Sequence, residues 1–125
     1  MIFTESSKIF IDFNEFLATN EGKIEVYQDS NEYGSCKKKG DPVLHTDLRN
    51  WADIFLIASL SVNTMAKISN RICDNLLTVV MRAWKLDEYD GNIFFENMEY
   101  SVLRQPVILA PAMNTDMYNH PITEK

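Results

Sequence analysis

The stretch VILAPAMNTDMYN, residues 107–119, decides how this chain is read. Val107, Ile108, Leu109 and Ala110 run without polar alternation into Pro111. Such a run is expected of a strand buried on both faces, as in a parallel sheet covered by helices. Ligands of these sheets bind just beyond the carboxyl ends of the strands. Met113 and Asn114 follow Pro111 and so stand where a ligand is expected. Residues 54–58, Ile-Phe-Leu-Ile-Ala, repeat the form and lead into Ser59-Leu60-Ser61-Val62-Asn63-Thr64. Each strand releases an Asn-Thr pair, as two walls of one site would.

Outward from these strands, Asp41-Pro42 reads as a helix start, with a capping carboxylate and a proline in the first turn. Leu44, Leu48 and Trp51 then follow at the spacing of a buried helical face. Residues 64–69 and 74–83 read as helices. At the front, Met1-Ile2-Phe3 reads as the tail of a strand, and Thr4-Glu5-Ser6-Ser7 as a polar turn capping a helix through Phe16 or Leu17. Residues 24–27 suggest a short strand and 28–40 a loop. Residues 85–105 are polar, aromatic and acidic, with Asp90-Gly91-Asn92 marking a turn. The order βαβαβ predicts an α/β fold with a parallel sheet between helices.

The bulk properties narrow the function. At 125 residues the chain is long enough for one domain with a core. A net charge of −6 argues against nucleic-acid binding, whose affinity comes from neutralising phosphates with Lys and Arg. The short Lys37-Lys38-Lys39 cluster reads as a solvated loop. Cys36, Cys73, His45 and His120 show no metal-ligand spacing, and two cysteines make no disulfide framework. A reducing, cytoplasmic setting is therefore expected. The first residues carry acids and do not read as a signal peptide, and no apolar run is long enough to span a membrane.

A few residues offer chemistry. His45 lies beside the Leu44/Leu48/Trp51 stripe, and its ordinary pKa range makes it the natural proton-handling group, although a lone histidine is also often structural. Ser61, Asn63 and Thr64 place hydroxyls and an amide at a strand–helix junction that attracts anions; capping of the next helix by Asn63 or Thr64 is the plainer alternative. Asn114 offers an amide that both donates and accepts, or serves as a turn residue beside core methionines Met113 and Met117. Arg49, Arg71 and Arg82 are available to a phosphate or to solvent. No glycine-rich phosphate loop occurs.

Taken together, DPVLHTDLRNWAD, IASLSVNTMAKIS, CDNLLTVVMRAW and APAMNTDMYNHPIT resemble the FMN-dependent homo-oligomeric cysteine decarboxylases, and within them the phosphopantothenoylcysteine decarboxylase group. The resemblance covers nearly the whole chain. It implies a flavodoxin-like (Rossmann-like) three-layer α/β fold forming one flavoprotein domain over 1–125, with 85–105 as a surface insertion. It implies FMN as cofactor and a homotrimer or mixed trimer with the site at the subunit interface. The reaction it implies is decarboxylation of 4′-phosphopantothenoylcysteine to 4′-phosphopantetheine, in coenzyme A synthesis. A non-catalytic regulatory subunit, a peptidyl-cysteine decarboxylase or a flavin prenyltransferase are the alternatives.

Position by position, the resemblance makes His45 the active-site histidine and Asn114 the holder of the substrate carboxylate. Ser6, Ser61, Val62, Asn63, Thr64 and Met113 become cofactor-binding residues, and Cys73 a structural cysteine. Ser59 stands where proline is usual, Val62 where a small alanine is usual, and Tyr118 replaces tryptophan. The family's first strand with its Gly/Ser turn, and its proton-donating cysteine, have no counterpart in these residues. The fold is accordingly expected to be incomplete at both ends.

Overall fold

The structure is a computed structural model that describes residues 1–34, 38–86, 89–95, 98–103 and 105–123. A 3-10 turn at Glu5–Ile9 precedes α1 (Phe13–Asn20), α2 (Asp29–Gly34), α3 (Leu44–Trp51), β1 (Phe55–Ser61), α4 (Val62–Ser69) and α5 (Leu76–Ala83). β2 (Tyr89–Phe95), β3 (Met98–Leu103), β4 (Val107–Ala112) and α6 (Thr115–Tyr118) complete the chain. These form two compact units, Met1–Asn50 with Cys73–Ala83, and Trp51–Ile72 with Trp84–Lys125.

In the first unit, Ile2 and Tyr27 form a single parallel bridge, so the two expected short strands meet at one point only. Phe3 beside that bridge is buried and packs against Phe13 and Phe16, with ring centroids 5.6 and 5.2 Å away. The helix expected from Thr4 is broken in two. Thr4 caps the 3-10 turn, and Asp12 starts α1 by accepting the N–H groups of Asn14 and Glu15. Residues 28–40 are not all loop, because Asp29–Gly34 is helical. α3 begins at Leu44 rather than at Asp41-Pro42. The Asp41 carboxylate instead accepts the Lys38 N–H at 2.7 Å, closing the preceding turn. The expected apolar stripe is also only half realised, since Leu44 and Leu48 are half-buried while Trp51 is exposed.

α5 has a reciprocal cap at its start. The Asn75 side chain accepts the Thr78 N–H (2.9 Å), and the Thr78 hydroxyl accepts the Asn75 N–H (3.2 Å). Leu76 and Val80 on this helix are fully buried and form the apolar centre of the unit.

The second unit is built on β1 and β4, which pair in parallel from Phe55↔Val107 to Ser61↔Ala112. Their amino ends are clamped. Phe55 N–H donates to Pro106 O (3.0 Å), Trp84 Nε1–H to Gln105 O (2.8 Å), and Gln105 Nε2–H to Ala52 O (2.8 Å). The Trp84 and Phe55 rings lie 5.0 Å apart over the same point. The register slips between Ala58 and Leu60, which leaves Ser59 at a bulge. A bulge makes little demand on a ladder N–H, so proline is tolerated at the Ser59 position.

The expectation that both strands are buried on both faces is not met. Ile57 and Leu60 are buried, but Leu56 is 58%, Ile108 49% and Leu109 44% exposed. Among the described residues each strand has one ladder partner, and much of the apolar surface has no covering layer. β2 and β3 form a separate antiparallel hairpin within the 85–105 segment. Asp90-Gly91-Asn92 is not its turn, since these residues lie within β2 and a register shift falls between Tyr89 and Gly91. No helix among the described residues is long and apolar enough to cross a membrane.

Candidate functional site

The two strand ends are built alike. β1 delivers Ser61, whose hydroxyl oxygen accepts the Thr64 N–H at 3.2 Å and whose O–H reaches Thr64 Oγ1 at 3.1 Å. β4 delivers Asn114, whose Oδ1 accepts the Met117 N–H at 2.8 Å. Each residue therefore caps the helix that follows, α4 and α6 respectively. The cap on α4 is Ser61, not Asn63 or Thr64. Ser61 and Ala112 are ladder partners, so both caps lie at the carboxyl edge of the parallel pair.

Capping also orients the Asn114 amide. With Oδ1 committed to the Met117 N–H, Nδ2 remains as an exposed pair of N–H donors. Met113 is half-buried beside it, and Pro111, Met113, Thr115 and Tyr118 line a shallow depression of about 350 Å³. Across the edge, Ser61 and Asn63 are exposed while Val62 and Thr64 are half-buried. This edge offers hydroxyls, amides and a small apolar wall to one ligand. A second depression of about 390 Å³, lined by residues 51–54, lies at the opposite end of β1 and carries Asp53 as its one ionisable group.

His45 and Ser6 belong to the other unit. His45, on the first turn of α3, holds its Nδ1 against the Glu32 carboxylate. Glu32 lies on α2 and is buried, and its second oxygen, Oε2, has no hydrogen-bond partner among the described residues. α2 is in turn fastened to α5, where Asp29 Oδ1 accepts the Leu76 N–H at 2.8 Å. Sequence reading missed both acids, because nothing local distinguishes Asp29 and Glu32 from any polar turn. Ser6 sits exposed in the 3-10 turn, beside Ser7, whose hydroxyl donates to Thr4 O at 2.7 Å.

The remaining candidates separate more plainly. One N–H of the Arg49 guanidinium reaches the Ala83 carbonyl at 3.5 Å, near the last turn of α5, a structural use of that charge. Cys73 is exposed. Cys36 lies outside the described residues. No group of three metal-ligating side chains occurs among the described residues.

Comparison with known proteins gives a consistent result. The Flavoprotein family model matches residues 1–125. A probable phosphopantothenoylcysteine decarboxylase of Arabidopsis thaliana is 47% identical over 102 residues, which cover 82% of this chain and 42% of that protein. Among solved structures, a cysteine-to-serine variant of PPC decarboxylase complexed with pantothenoylaminoethenethiol is 41% identical with a TM-score of 0.76, covering 98% of this chain and 56% of the other. The FMN binding protein AtHal3 has the same identity and TM-score, over 98% and 55% of the two chains. The chain thus spans about half the length of the proteins it matches.

Proposed function

The chain belongs to the flavoprotein family, with the mixed helix and parallel-sheet fold of its Rossmann-like relatives, and from that premise we propose that it carries the core of an FMN-dependent decarboxylase. The substrate is 4′-phosphopantothenoylcysteine and the product 4′-phosphopantetheine, the step that serves coenzyme A synthesis. Relatives named for this activity and a neighbour named for binding FMN support the reading. The observation that carries it is the carboxyl edge of the paired strands, where Asn114 presents oriented N–H donors beside Met113 and where Ser61 and Asn63 stand exposed.

The residues present fit a flavin. Ser61, Asn63 and Thr64 would supply polar contacts for its heteroatoms, and Val62 and Met113 would supply apolar wall. Bound FMN would contribute reversible two-electron redox chemistry at the substrate. The protein's own part is positional. Asn114 Nδ2 holds the substrate carboxylate, Met113 keeps water from it, and His45 handles a proton at Nε2, the ring nitrogen that Glu32 leaves open. The 85–105 hairpin is a surface insertion on this scheme.

The working form is a homotrimer or mixed trimer with its site between subunits. The exposed Leu56, Ile108 and Leu109 favour an assembled state, since apolar side chains of this kind gain by burial. The proposed setting is the cytoplasm, in keeping with two cysteines that make no disulfide framework. Incubating the purified protein with FMN and 4′-phosphopantothenoylcysteine, and following the product by mass, tests the function. Loss of carbon dioxide from 4′-phosphopantothenoylcysteine is expected. An FMN-loaded protein that spares this substrate and decarboxylates a cysteine-terminated peptide would overturn the assignment.

A further inference from the structure

We propose that Glu32 is the positioning residue for His45, fixing which ring nitrogen carries the proton. The two side chains come from different helices. Glu32 lies on α2, whose first residue, Asp29, is tied to the Leu76 N–H of α5, and whose Asn31 Oδ1 accepts the Gln28 N–H at 2.7 Å. Both contacts hold the first turn of α2 in place. Glu32 follows Asp29 by three positions, so it projects from the same face of that anchored turn. Its carboxylate meets His45 Nδ1. A carboxylate only accepts, so the proton of the neutral ring is held on Nδ1, and Nε2 presents its lone pair.

Burial separates this pair from an ordinary surface contact. The Glu32 side chain is 7% exposed, whereas the His45 side chain keeps 24% of its surface in solvent. Glu32 Oε2 is buried with no hydrogen-bond partner among the described residues. Among the described residues the contact with His45 is the one hydrogen bond this buried acid makes, and it fixes the orientation of the ring.

The chain contains an internal contrast. His120 Nδ1 accepts the Ile122 N–H at 3.3 Å, so its ring proton belongs on Nε2. The two histidines are thus assigned opposite tautomers. The assignment of Nε2 as the working nitrogen rests on the proposed role of His45, but the tautomer itself does not. Failure of either claim is therefore visible separately.

The test uses the purified protein with 15N-labelled histidine, its ring signals assigned through His45→Gln and His120→Gln. The expected spectrum shows His45 protonated on Nδ1 and His120 on Nε2. Glu32→Leu, which removes the acceptor and keeps a buried side chain, moves His45 toward a mixture of tautomers. The folded signal is retained, because leucine fills the buried site and water serves the partly exposed ring. In the FMN-loaded enzyme, kcat falls by about tenfold or more with KM within about twofold, the pattern of a lost orienting partner. Glu32→Gln, whose amide oxygen still accepts, retains the Nδ1 proton and most of the rate. A wild-type His45 protonated on Nε2, or a Glu32→Leu protein with unaltered ring signals, would overturn the proposal. Full turnover lost together with the folded signal in Glu32→Leu, and in Glu32→Gln as well, would assign Glu32 a structural role instead.

Discussion

His45 and the strand edge at Ser61 and Asn114 are held in place by different means. Ser61 and Asn114 owe their positions to backbone N–H groups three residues ahead of them. His45 owes its position to an acid 13 residues earlier, on a helix fastened to a residue 47 positions further along the chain. One region is assembled locally and stands exposed; the other is assembled from three helices and is partly buried. The difference suggests a division of labour. On the proposed roles, local caps present the ligand-binding groups of the edge, whereas the proton-handling His45 is fixed by contacts distant in sequence.

The largest effect expected from this contrast concerns chemistry. His45→Ala lowers kcat for decarboxylation by about 10²–10⁴-fold, the usual worth of a positioned proton-transfer group. FMN affinity stays within about twofold, because the residues assigned to flavin lie mainly in the other unit. Steady-state kinetics beside a flavin titration reads both, and a loss under about tenfold would erase the distinction between the two regions.

Stability comes next. Leu60 is 1% exposed and Leu56 58%, although they lie on the same strand. Leu60→Ala is expected to cost about 2–5 kcal/mol in urea unfolding, and Leu56→Ala less than about 0.5 kcal/mol in the isolated chain. If assembly covers the open face, the cost of Leu56→Ala rises with protein concentration. A concentration-independent cost would indicate that no partner covers it.

The cap variants sharpen the comparison further. Asn114→Ala, Ser61→Ala and Asp29→Ala each remove one acceptor at a helix start and are each expected to cost about 0.5–2 kcal/mol. Asp29→Ala alone is expected to disturb the His45 ring signals, since it loosens the helix that carries Glu32. Equal disturbance from Asn114→Ala would show that the two regions are not held independently.

These outcomes bear on what was legible beforehand. The strands β1 and β4 and the side chains of their edge could be read from local sequence, because apolar runs and caps act over a few residues. Ser61 and Asn114 were found in that way, although the cap on α4 was placed two or three residues late. The partner of His45 was not legible, since Glu32 and Asp29 look like solvated loop residues until α2 packs. Trp84 and Gln105, which lock the register of β1 and β4, escaped notice for the same reason. The exposed faces of β1 and β4 reversed an expectation, because an apolar run shows that burial is favourable and does not show which surface provides it. Trp51 makes the same point on α3.

The smallest effect expected is a titration. The Tyr27 phenol is held above its ordinary pKa, first by its hydrogen bond to the Glu25 carboxylate, then by desolvation and by the negative charge of that acid. A raised folded-state pKa favours the neutral phenol in the folded chain. Its small stabilising contribution is present below the unfolded-state pKa and lost as pH rises through the folded one. Glu25→Gln is expected to lower the midpoint seen by phenolate absorbance, and an unmoved midpoint would show that the acid does not control it.

The central claim is that flavin is held at the edge shared by β1 and β4 while the proton is handled at His45. It is tested most directly by titrating FMN into the wild type, Val62→Asp and His45→Ala, and measuring decarboxylation in the same samples. The account predicts that Val62→Asp loses FMN and turnover together, whereas His45→Ala binds FMN and loses turnover only. Tight FMN binding by a folded Val62→Asp protein, or loss of FMN on replacing His45, would contradict it.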